Sequence, residues 1–128
     1  MQKLILPATM DDIGLLEPFV SQAARLAALS DLETLRLRLA VEEAVANIIN
    51  YGQATTITLL SAMETGHLLL TIIDDGRPFD PTTHSATDLT IPADQRPPGG
   101  LGIVFLRQMT TSIAYERSDS HNVLRIVK

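Results

Sequence analysis

At Gly52 the spacing of apolar residues changes from one period to another. Before it, Leu37, Val41, Ala44, Val45 and Ile48 recur at the spacing of one helix face. After it, Thr56 to Ala62 and His67 to Ile73 alternate, as half-buried strands do. A chain that switches from period 3.6 to period 2 must bury a helix stripe against a sheet face, which makes this an α+β protein. The flanking residues mark the elements. Ser30 and Glu33 form a capping-box pattern for a helix running to about Asn50, and Gly52 stops it. Upstream, Lys3 to Leu6 reads as an edge strand closed by Pro7, and Thr9 with Asp12 looks like a helix start. A first helix is expected over Ile13 to Leu29, with Leu15, Leu16, Phe19, Val20, Ala23 and Ala27 at helical spacing and Pro18 placed awkwardly in its first turns. Met63-Glu64-Thr65-Gly66 joins the two alternating runs as a hairpin.

From Asp74 to Gly100 the periodicity disappears, and five of the seven prolines fall here: Pro78, Pro81, Pro92, Pro97 and Pro98. A long aperiodic stretch inside a compact domain is uncommon and usually functional, so it reads as a lid over a binding site. Leu101 to Met109 is helix-like, and Ser112 to Glu116 with Asn122 to Val127 read as a closing strand pair around the turn Ser118 to His121. The expected architecture is a two-layer sandwich over 1–128: a mixed or antiparallel sheet with helices on one face.

Charge and composition remove several function classes. Ten Lys+Arg against fifteen Asp+Glu give a net charge of −5, and no basic run is present to bind duplex nucleic acid or an anionic membrane. Cysteine is absent, which excludes disulfides, zinc-thiolate sites and thiol nucleophiles. No apolar run approaches the roughly 18 residues of a membrane span, and the amino terminus lacks a signal-peptide pattern, so a cytoplasmic protein is expected.

Three places carry candidate chemistry. On the second helix Arg36, Ala40, Glu43, Asn47 and Asn50 share a stripe beside the apolar one, placing a carboxylate and two amides on neighbouring turns. Such a stripe is more often a solvated face, yet Asn suits a helix interior poorly because its side chain competes with the backbone. Glu43 could take a hydroxyl proton, and the Asn47 amide oxygen could bind Mg²⁺, which favours oxygen ligands and phosphates. Next, Ile72-Ile73-Asp74-Asp75-Gly76-Arg77 is an apolar strand ending in paired acids and a glycine. An Asp there can accept from an exocyclic amine, although Asp-Gly alone is an ordinary turn. Last, Pro97-Pro98-Gly99-Gly100-Leu101-Gly102 runs into a helix whose free N–H groups suit a phosphate. It matches neither a P-loop nor a dinucleotide fingerprint.

Taken in order, LRLAVEEAVANIINYG, IIDDGRPFDP and PPGGLGIVFLRQM resemble the N-box and the two glycine boxes of the Bergerat-fold ATPases, the superfamily of gyrase B, MutL and histidine-kinase catalytic domains. Within it the chain is most similar to the anti-sigma-factor serine kinases, and the ending IAYERSDSHNVLRIVK resembles their carboxyl-terminal hairpin. The resemblance implies a single histidine-kinase-like ATPase domain with an ATP lid, binding ATP and Mg²⁺. It implies Glu43 as catalytic base and Asn47 as Mg²⁺ ligand. Asp74 would read the adenine amine beside Gly76, while Gly99, Gly100, Leu101 and Gly102 close over the phosphates; Asn50 and Arg77 lie nearby. Glu42, one helical step of about 100° from Glu43, is expected to face away. Pro78 departs from the pattern, standing where many members have a second glycine and removing a backbone donor.

The function so implied is a serine/threonine protein kinase that phosphorylates a partner antagonist protein and regulates a sigma factor, and hence transcription, by partner switching. A homodimer is the family's common assembly. The alternative, of another class, is a nucleotide-gated binding module that performs no phosphoryl transfer. Neither reading calls for direct contact with nucleic acid or membrane.

Overall fold

The computed structural model describes residues 1–81, 108 and 110–128. It is an α+β fold. Strand β1 (Gln2–Pro7) leads through a 3-10 turn (Met10–Leu15) into helix α1 (Leu16–Leu26), followed by helix α2 (Asp31–Tyr51). Strands β2 (Thr56–Glu64), β3 (His67–Asp74), β4 (Ser112–Ser118) and β5 (His121–Val127) complete the described elements. The five strands form one sheet in the order β1-β2-β3-β5-β4, with every neighbouring pair antiparallel. Of the two sheet types open from the sequence, the antiparallel one is present. The expected helix over 101–109 lies outside the described residues. Among those that are described, no helix is long and apolar enough to cross a membrane.

Alternation decides which sheet face meets the helices. Leu6, Ile57, Leu59, Leu68, Leu70, Ile72, Leu124 and Ile126 point inward and form one core with Leu16, Val20 and Ala23 of α1 and Leu37, Ala40, Val41 and Val45 of α2. Each fully buried Leu or Ile contributes roughly 1.5–3 kcal/mol by leaving water. Two hairpins tie the sheet together. Thr65 and Gly66 link β2 to β3 at φ 48° and 82°, and Asp119 and Ser120 link β4 to β5 at 50° and 64°. Both pairs have the positive φ values that match the right-handed twist of adjacent strands.

The first helix departs from its expected bounds. It starts at Leu16 and ends at Leu26, with Ala28 turning left-handed at φ 57°. Pro18 explains the start: as the third helical residue it occupies a position whose N–H has no partner within the helix, so nothing is lost. Thr9 and Asp12 serve the 3-10 turn instead, where the Thr9 hydroxyl donates to the Asp12 carboxylate at 2.8 Å. At the second helix the capping box is complete. The Glu33 amide donates to Ser30 Oγ (3.1 Å) while the Ser30 amide donates to Glu33 Oε1 (3.2 Å). That helix runs one residue beyond Asn50, to Tyr51, with Gly52 as its C-cap.

Candidate functional site

Strand parity and register assemble the site. In β3 the inward positions Leu68, Leu70 and Ile72 are followed at the same parity by Asp74, so the acid is drawn to the core face and is only 4% exposed. Across β5 its register partner is Asn122, whose own β4 partner is Arg117, so one row crosses the sheet from acid to amide to guanidinium. The row below it holds Ile72, Leu124 and Tyr115. Together with the carboxyl-terminal turns of α2 these rows enclose a pocket of about 200 Å³. Ala44, Asn47, Ile48 and Tyr51 of α2 line one wall, and Asp74, Asn122 and Tyr115 the other. Arg77, Phe79 and Pro81 stand at its edge along the chain leaving β3. A small, mainly apolar cavity with a few convergent polar groups suits a flat heteroaromatic ring with a polar edge.

The polar edge is tightly organised. Asp74 Oδ1 accepts from the Gly76 amide (2.9 Å) and from Asn122 Nδ2 (3.0 Å). Asn122 Nδ2 also donates to the Arg77 carbonyl (2.8 Å), and its Oδ1 accepts from the Tyr115 hydroxyl (2.6 Å) and the Phe79 amide (3.3 Å). The segment after β3 is held from the remaining sides as well. The Arg77 amide donates to the Gly52 carbonyl (2.8 Å), and Arg117 Nη1 donates to the Gly76 carbonyl (2.7 Å). Gly76 is required by this docking, since a Cβ there would stand 2.5 Å from the Gly52 carbonyl oxygen. Asp75, the second acid of the pair, faces out of the pocket. Its carboxylate accepts from the Thr55 hydroxyl and from the amides of Thr55 (2.7 Å) and Thr56 (3.1 Å). The Thr55 side chain first, and then the two amides, hold its carboxyl down at about 2.

Of the residues singled out in the sequence, the structure brings Asn47, Asp74 and Arg77 to the pocket lining, with Gly76 directly behind Asp74. Glu43 stands one helical turn before Asn47, half-buried and outside the lining. Asn50 is exposed and also outside it, because three residues beyond Asn47 turn the side chain about 60° toward solvent. In the expected polar stripe Arg36 is exposed, whereas Ala40 is fully buried and belongs to the core. Glu42 lies on the α1 side of the helix, with Arg38 between it (3.6 Å) and Glu17 (3.7 Å). Gly99, Gly100, Leu101 and Gly102 lie outside the described residues. Most of the remaining lining was not singled out in the sequence, and its polar members Asn122 and Tyr115 matter most for the site. The signal for Asn122 was its parity, since it shares the inward face of β5 with Leu124 and Ile126.

Comparison with known proteins gives the family. The chain is 31% identical over 107 residues to the serine/threonine-protein kinase BtrW of Bordetella bronchiseptica, with 77% of this chain and 75% of that protein covered. Its fold resembles the histidine kinase domain of the Erythrobacter litoralis EL346 blue-light activated histidine kinase, with a TM-score of 0.57 at 16% identity. That match covers 95% of this chain and 60% of the other, so the chain spans rather more than half the length of that structure. The model of the histidine kinase-like ATPase domain matches residues 6–128. Across that span the chain belongs to the histidine kinase-like ATPase domain family, a family of ATP-using enzymes.

Proposed function

We propose that this protein is an ATP-dependent serine/threonine protein kinase of the anti-sigma-factor type. The observation that carries the reading is the juxtaposition of Asp74, an acceptor at the end of a base-sized pocket, with Asn47 on its α2 wall and Glu43 one turn earlier. The likeness to a serine/threonine-protein kinase over three quarters of both chains supports it.

Phosphoryl transfer asks the protein chiefly for positioning and charge neutralisation. The base enters between Ile48, Ile72 and Leu124, with its exocyclic amine donating to Asp74. Asn47, and Glu43 one turn earlier on α2, would then face its phosphates. Among the described residues no three His, Cys, Asp or Glu side chains gather to hold a metal unaided. A single amide oxygen fits Mg²⁺ nonetheless, since this ion takes few protein ligands and completes its shell with phosphates and water. When bound, it neutralises charge on the transferred group. Glu43 accepts the proton as the serine or threonine oxygen of the partner attacks the γ-phosphorus and the bond to the leaving ADP oxygen breaks. The partner is a small antagonist protein, and its phosphorylation releases or recaptures a sigma factor in the cytoplasm.

Replacing Glu43 by Gln leaves ATP affinity within about twofold, because the side chain is outside the pocket lining, and lowers phosphoryl transfer by roughly 10²–10⁴. The measurement is label transfer from γ-labelled ATP to a purified antagonist partner. Wild-type rates in the variant overturn the assignment of Glu43. A second reading is that nucleotide state gates partner binding with no transfer. Nucleotide-dependent partner affinity without label transfer by the wild type is its signature.

A further inference from the structure

Asn122 uses its whole hydrogen-bonding capacity inside the protein. Its two Nδ2 hydrogens go to Asp74 Oδ1 and the Arg77 carbonyl, and its Oδ1 accepts from Tyr115 and the Phe79 amide. The orientation of the amide is thereby settled, for the reversed form would press its oxygen against two acceptors. The residue is 6% exposed, so each of these bonds is made where water competes poorly.

The consequence falls on Asp74. Its Oδ1 already accepts two donors, from Gly76 and Asn122, while Oδ2 accepts from none of the described residues. The carboxylate therefore presents one oxygen to a ligand in the pocket that it lines. Which oxygen it presents, and in what direction, depends on Asn122. Without the Nδ2 donor, Oδ1 keeps only the Gly76 amide, and the carboxylate is free to rotate about its bond to Cβ. A rotated carboxylate no longer meets the amine of a 6-aminopurine, a bond that a 6-oxopurine never makes, so the difference between the two ligands shrinks.

We propose that Asn122, kept in orientation by the Tyr115 hydroxyl, is a positioning residue that makes this site select a 6-aminopurine base over a 6-oxopurine. The proposal rests on the nucleotide reading above. Neither residue touches the base's amine in this scheme. Both act through Asp74.

The test is calorimetric titration with ATP and with inosine triphosphate, which carries an oxygen in place of the amine, on the wild type, Asn122→Ala and Tyr115→Phe. Thermal unfolding is recorded alongside. The wild type is expected to prefer ATP. Asn122→Ala narrows that preference by roughly tenfold or more, as the loss of one hydrogen bond to a charged group implies. Tyr115→Phe, which keeps the ring and removes only the hydroxyl, narrows it by a smaller factor in the same direction. A purely structural role weakens both nucleotides equally, so an unchanged ratio in the variants overturns the proposal. If Asn122→Ala does not fold, the ratio in Tyr115→Phe decides. A wild type that binds both nucleotides equally overturns the proposal and leaves the nucleotide site standing. A folded wild type that binds neither overturns the nucleotide reading itself.

Discussion

Asp74 and Asp75 are adjacent and chemically identical, yet the backbone sends them to different work. Asp74 keeps the inward parity of β3 and sits against Asn122, whereas Asp75, just past the strand, closes on the first residues of β2. Substituting Asp74 by Asn separates the two roles of its carboxylate. The amide oxygen can still accept from Gly76 and Asn122, so the thermal midpoint should stay within a few degrees of wild type. The NH₂ that replaces Oδ2 then faces the amine of the base, donor against donor, and ATP affinity should fall by roughly a hundredfold or more in calorimetry. A paired acid is legible in the sequence as an anomaly after an apolar run. Asp74 was preferred to Asp75 only through the family resemblance, and the partner that completes Asp74 was not legible, because Asn122 lies 48 residues away.

At the scale of elements, α2 shows how local signals and packing divide the work. Its amino terminus is set by Ser30 and Glu33, which satisfy donors the first turn leaves open. Ser30→Ala should therefore cost about 1 kcal/mol in denaturant unfolding without altering nucleotide affinity, since the cap is at the end of the helix remote from the pocket. The other end is different. Gly52 closes the helix and offers its carbonyl to Arg77, and Gly76 passes so close that no side chain fits. Gly76→Ala forces the chain away from Gly52, with an expected loss of about 1–3 kcal/mol in stability and a parallel loss of ATP affinity. Retention of both would show that this docking is dispensable. The outward side of α2 carries Leu32, Leu35 and Leu39, all exposed, alongside the buried Leu37 and Val41. Apolar residues on both sides blur the helix pattern, yet the buried stripe was still readable because it continues over three turns.

Across the whole molecule, ion pairs and hydrogen-bonded carboxylates tie distant segments and set the response to acid. Lys128 Nζ meets Glu33 Oε2 at 3.2 Å, joining the chain's last residue to the start of α2. The Ser30 amide first, with Lys128 after it, lowers the Glu33 carboxyl below its ordinary range. Asp75 is lowered further, from an ordinary 3.8 to about 2, by Thr55 and Thr56. A depressed carboxyl stabilises the fold in its charged form, so this contribution is complete above about 3.8 and is lost as pH falls from there through about 2. Thermal midpoints measured across that window should drop less steeply in Asp75→Asn than in the wild type. An identical slope in the two proteins would assign the acid response to other groups. The sequence by itself determined the order of the described strands and helices, the cap of α2, the apolar faces and the acidic, cysteine-free character, because those depend on neighbours within a few residues. Only the tertiary structure decided that the sheet is wholly antiparallel, that Ala40 belongs to the core and Asn50 to the surface, and that Asn122 and Tyr115 stand behind Asp74. Pairing register between strands far apart in the chain is chosen by which side chains can share one buried face, a condition that the local pattern of a single strand does not contain.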